Sequence, residues 1–182
     1  LSAGQVHREA DAHVHGHGTL SIATEGSRLL MRLESPGADI VGFEHAAETD
    51  QEMRAVAEAD EKLQSPLTLF VLPAGAGCAV EVAHVILAAD EDHDHEDEEH
   101  AEEAHEAEAR HDEEHDGAEH SEVHAEYELT CEAVSVIDSI RFDYFDTFPG
   151  AESLQVNIVT EQGQSTYQVT RDDPVIRFPG MM

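Results

Sequence analysis

The sequence predicts a β-rich α+β domain with antiparallel strands, one helix near residues 49–64 and a long inserted acidic segment. Three observations predict it. Apolar and polar residues alternate in short runs bounded by turn residues, which is the period of a strand with one buried face. A single stretch carries helical spacing behind an N-terminal cap. Between the β-rich parts, residues 90–122 consist almost wholly of Asp, Glu, His and Ala.

In chain order, residues 13–24 set Val14, Leu20 and Ile22 on one strand face, with Gly16 and Gly18 between them. The run "EGSR" is a hairpin turn signal, and residues 29–35 follow with Leu29, Met31 and Leu33 on one face and Leu30, Arg32 and Glu34 on the other. Thr49 and Glu52 form a capping box, in which each side chain satisfies a free backbone amide at the helix start. Met53, Val56, Ala57 and Leu63 recur behind it at helical spacing, and Pro66 closes the helix. Residues 78–88 alternate again through Val80, Val82, His84 and Ile86. Past the insertion, Ala125, Tyr127, Leu129, Cys131 and Ala133 share a face. Strands are expected over residues 139–145, over 154–161 and 164–170 joined by "EQGQ", and at the closing "VIRF". The similar order of elements on either side suggests two pseudo-repeated halves of one domain, residues 1–89 and 123–182.

Hydrophobic residues make up 40% of the chain, but aromatics only 5% and Trp is absent, so the core is expected to rest on Val, Leu, Ile and Ala. The insertion has too little apolar surface to offset the entropy of ordering and is expected to be mobile. Cys78 and Cys131 flank it. A disulfide between them is the favoured reading, with two buried free thiols as the alternative. A disulfide implies an oxidising compartment. The opening "LSAGQVHREA" reads as a mature N-terminus after processing.

A formal net charge of −32 excludes nucleic acid and anionic membrane surfaces as partners, since both are bound through Lys and Arg, of which there are nine. No run approaches the roughly 20 apolar residues that span a bilayer. Cations are the natural partners.

Fourteen histidines carry the chemistry. His13, His15 and His17 lie two apart, so on a strand they would share one face and converge on one ion. Glu44 and His45 form an adjacent ligand pair before the helix, and His124 and Glu126 share the polar face of the strand that follows the insertion. His84, alone in an apolar run, reads as a packed or hydrogen-bonded core residue. Within the insertion, His93, His95, His100, His105, His111, His115 and His120 offer several weak exchanging sites. Their carboxylate neighbours concentrate cations. Mixed imidazole and carboxylate suits Zn²⁺ best, with Ni²⁺ or Cu²⁺ following from intrinsic affinity order. Calcium would want an oxygen-only loop, and no such motif is present.

The segments "HVHGHGTLSIA", "LESPGADIVGFEH", "FVLPAGAGC", "HAEYELTC" and "FDTFPGAESLQVNIVTEQGQ" together resemble the bacterial periplasmic zinc-binding family often called ZrgA. The resemblance covers nearly all of the chain outside the insertion. It implies a periplasmic protein made under zinc limitation, which supports high-affinity zinc uptake beside an ABC transporter and its solute-binding protein. Carried over by position, it implies His13, His15, His45 and His124 as ligands.

Two other readings compete. A zinc hydrolase would use Glu44 or Glu126 as general base, but no HExxH or comparable signature is present. An acidic adaptor docking a basic partner would not need imidazoles and would tolerate His→Gln changes throughout.

Overall fold

The computed structural model describes residues 14–88 and 121–181. The chain forms β1 (His17–Glu25) and β2 (Arg28–Pro36), a short helix α1 (Gly37–Val41), and the main helix α2 (Asp50–Leu63). A helical turn α3 (Pro66–Leu69) leads into β3 (Phe70–Val71) and then β4 (Cys78–Ala88). After the insertion come β5 (Glu122–Cys131), β6 (Ser139–Phe142), a helical turn α4 (Tyr144–Thr147), β7 (Ser153–Thr160), β8 (Gly163–Thr170) and β9 (Val175–Arg177).

Six strands form the main sheet in the order β4-β5-β2-β1-β7-β8, and a second sheet has the order β3-β6-β9. Strands from both sides of the insertion therefore contribute to each sheet, and in the main sheet they interleave. The main sheet is mixed, which corrects the antiparallel expectation: β1 pairs parallel with β7, with Leu20 opposite Val156. Alternation reports which face of a strand is buried and carries no information on which strand lies alongside or in which direction.

The alternating residues bury as their period requires. Leu20 and Ile22, Leu29, Met31 and Leu33, and Val123, Ala125, Tyr127 and Leu129 face inward at 3% exposure or less. In β4 the inward residues are Ala83, Val85 and Leu87, while Val82, His84 and Ile86 are exposed. His84 is thus not a core residue. The register shifts between Val80 and Val82, and this irregularity decides which residues of a nearly uniform apolar run face out.

The core is more aromatic than the composition suggests. Phe70, Tyr127, Phe142, Tyr144, Phe145 and Phe148 are all buried, six of the nine aromatic side chains in the chain. Phe70 lies 5.8 Å from Tyr144 and 6.5 Å from Tyr127 between ring centroids, joining the small sheet to the inner face of the large one. Tyr144 was expected in a strand. The backbone instead turns helical after Phe142, which lets the successive residues Tyr144 and Phe145 both point inward. A strand would send them to opposite faces.

The capping box forms as its sequence predicts. The Glu52 amide donates to Thr49 Oγ1 at 3.2 Å, and Glu52 Oε2 accepts from the Thr49 amide at 2.9 Å. The buried stripe of α2 runs through Ala59 and Leu63, whereas Met53 and Ala57 are exposed.

Cys78 and Cys131 face each other in register at one end of the β4–β5 ladder and are joined by a disulfide with a sequence separation of 53. Closing a loop of that length stabilises the fold by about 4 kcal/mol in the chain-entropy model. The double variant Cys78→Ala/Cys131→Ala is expected to lose about that much unfolding free energy, read from urea denaturation against the oxidised chain.

Candidate metal centre

One end of the main sheet collects the candidate ligands. The chain leaves β4 at Ala88 and enters β5 at Glu122, and these two residues pair directly, with Pro36 at the end of β2 next in the row. His17 and Ser153 open β1 and β7 at this same end. The α1 helix and the loop carrying Glu44 and His45 follow directly from Pro36.

The N-terminal histidines do not lie along a strand. Val14 to His17 form a turn closed by the His17 amide donating to the Val14 carbonyl at 3.1 Å, and β1 begins only at His17. Gly16 has φ +81°, as the third position of a type II turn requires and as a side chain would resist. The shared-face expectation therefore fails for His15 and His17. His15 Nε2 meets Glu44 Oε1 at 2.6 Å. His17 instead meets the buried Ser153 hydroxyl through Nδ1 at 2.5 Å. His13 lies outside the described residues.

His45 is fixed on three sides. Its Nδ1 donates to the Ala46 carbonyl at 2.9 Å, its ring stacks on Phe43, and its Nε2 stands 3.5 Å from Glu52 Oε1. A carbonyl only accepts, so Nδ1 carries a proton, and Nε2 is the ring nitrogen that could take a metal. Glu52 thus serves twice, through one oxygen in the helix cap and through the other beside His45.

On the outer face of the sheet, Glu34, His124 and Ile86 form one cross-strand row, and Arg32, Glu126 and His84 the next. His124 Nε2 is 3.1 Å from Glu122 Oε2, while its Nδ1 is buried without a hydrogen bond, 3.8 Å from Glu34 Oε1. Glu126 is exposed and lies 3.8 Å from Arg32 Nη1. His84, directly opposite Glu126, joins this polar surface.

The structure thus brings a carboxylate to His15, His45 and His124, and a hydroxyl to His17. Among the described residues, no three His, Cys, Asp or Glu side chains already converge closely enough to hold an ion. His93, His95, His100, His105, His111, His115 and His120 lie outside the described residues. Sequence reasoning missed Glu34, Glu52 and Glu122 as partners of imidazoles. The capping box marked Glu52 as structural, and only strand register pairs Glu34 with His124.

The Glu48 and Thr49 amides hold the Glu52 carboxyl below its ordinary range. A depressed value means that the ionised group supports the fold above the ordinary carboxylate pKa of 4.5 and that this support fades as pH falls through the lower folded value. Glu52→Gln is expected to be less stable than the parent at neutral pH, with the difference closing below about pH 4 in paired urea titrations.

No curated protein matches the chain closely enough to stand as a relative. The model of the ZrgA family zinc uptake proteins matches residues 12–178, so it spans both sheets, the histidine turn, the Glu44–His45 loop and the strand bearing His124. The chain belongs to the ZrgA family of zinc uptake proteins.

Proposed function

We propose that the chain captures Zn²⁺ in the periplasm and passes it to a high-affinity uptake system, with a zinc transporter's solute-binding protein as the receiving partner. Two classes of site divide the work. A structured site draws on His13, His15, Glu44 and His45, with His17, His124 and Glu126 at the same end of the sheet. The histidines of residues 90–122 form weaker sites that gather the ion and yield it by ligand exchange.

The observation that carries this reading is the convergence of separate segments at one sheet end. The pairing of Ala88 with Glu122 sets the two exits of the His-rich segment side by side, one on β4 and one on β5, the strand that bears His124 and Glu126. At the same sheet end β1 begins, after the turn that bears His15, and β2 ends, before the Glu44–His45 loop. Weakly bound ions would therefore be released next to the stronger donors. The disulfide supports an oxidising compartment, and among the described residues no helix is long and apolar enough to cross a membrane. Neutral imidazole with carboxylate favours Zn²⁺ in this setting, and Ni²⁺ or Cu²⁺ would compete in vitro.

The test is a zinc titration against a competing chelator, comparing the intact chain with one lacking residues 90–122. One tight equivalent is expected to survive the deletion while several weak ones disappear. Loss of the tight equivalent with the deletion would overturn the structured site. In the intact chain, His15→Ala combined with His45→Ala is expected to abolish the tight equivalent and leave the weak ones. Binding of both classes is expected to weaken as pH falls toward about 6, where imidazole takes up protons and ceases to be a ligand.

A further inference from the structure

Apart from the tyrosines, three polar side chains are buried among the described residues: Ser35, Asp39 and Ser153. Ser35 and the buried Tyr144 hydroxyl satisfy each other at 3.1 Å. The other two both hold the histidine turn. Ser153 meets His17, and Asp39 Oδ1 accepts from the Gly16 amide at 2.8 Å. Asp39 is 4% exposed, and its Oδ2 finds no hydrogen-bond partner among the described residues. A buried carboxylate with one oxygen unsatisfied is costly, and among the described residues no Lys or Arg acts on it to offset that cost.

The carboxylate is held in place from several directions. Gly150 packs so closely on the Asp39 backbone that a Cβ there would lie 2.8 Å from Asp39 Cα and its carbonyl oxygen. The loop bearing Gly150 is fixed in turn by the Arg171 guanidinium, which donates to the carbonyls of Phe145, Phe148, Pro149 and Ala151. Gly16 is held on its other side, its carbonyl accepting from the Glu152 and Ser153 amides at 2.9 and 2.8 Å. The two peptide groups that flank Gly16 are therefore clamped, one through its donor and the other through its acceptor, while the His15 side chain is left 63% exposed.

We propose that Asp39 is a positioning residue for zinc capture: its hydrogen bond to Gly16 N–H fixes the turn that presents His15 and His17. This rests on the reading that the histidine turn takes part in the structured zinc site. Asp39 acts on the backbone between the two histidines and does not itself bind the ion.

The experiment uses the full chain as wild type, Asp39→Ala and Asp39→Asn. The first zinc equivalent is titrated against a competing chelator, and exchange of the Gly16 amide is followed by NMR without metal. Asn keeps an oxygen that can accept from Gly16 N–H, so this variant is expected to retain affinity and Gly16 protection. Asp39→Ala is expected to lose that protection and to weaken the first equivalent by about 10- to 100-fold, the usual cost of removing a group that orients a ligand. Should Asp39→Ala not fold, Asp39→Glu, which keeps the charge but misplaces the oxygens, takes its part with the same expectation. Equal losses in Asp39→Asn and Asp39→Ala would overturn the proposal, because charge rather than the hydrogen bond would then matter. So would undiminished affinity in Asp39→Ala. A wild-type chain without a tight first equivalent would instead overturn the zinc reading of the turn, and this inference with it.

Discussion

The pairing of β4 with β5 is the constraint from which the rest of this architecture follows. These two strands flank the acidic segment, and their ladder runs from Cys78 opposite Cys131 to Ala88 opposite Glu122. The disulfide closes one end of the ladder and the acidic segment spans the other. Without that closure, bringing the two parts of the chain together would carry the entropy of a long charged loop. With it, β5 continues into β2 and β1, and the inward side chains of all four strands share one core around Phe70 and Tyr144. The same ladder sets where the acidic segment departs and returns, beside Glu34, Glu122 and His124.

The electrostatics of this sheet end suit a mobile cation. His15, His45 and His124 each stand beside a carboxylate on the surface of a chain with a formal charge of −32. Such a field raises the local concentration of divalent ions. Carboxylates next to imidazoles orient the rings and can join them on an ion. In the zinc capture proposed above, donors that lie near one another without converging among the described residues would have a physical use: an ion held by few ligands at a time can be exchanged stepwise. A closed four-ligand cage, as in structural zinc sites, would retain it.

Rigidity and exposure are divided between backbone and side chains. The Val14–His17 turn is pinned through Gly16 to Asp39 and to the start of β7, yet the His15 ring is largely open to solvent. The His45 ring is fixed through Ala46, Phe43 and a glutamate that also caps α2. In both cases the fold holds the peptide or the ring and leaves the imidazole exposed beside a carboxylate.

Much of this was legible in the amino-acid sequence. Alternation located β2, β5, β7 and β8 and the inward faces of β2 and β5, because burial along a strand is a local pattern. Thr49 and Glu52 announced the helix, because a cap is made within three residues. The disulfide pair and the family's motifs were also readable in one dimension. The parallel pairing of β1 with β7, the outward turn of His84 at an irregular register, the helical turn at Tyr144 and the bond from Gly16 to Asp39 were decided only by tertiary structure. Each depends on groups far apart in the chain. Asp39 lies 23 residues from Gly16, in a segment whose sequence gives no sign that its carboxylate is buried. Local periodicity can say which side of a strand meets the core. It cannot say which distant backbone amide a side chain will meet once the strands have chosen their neighbours.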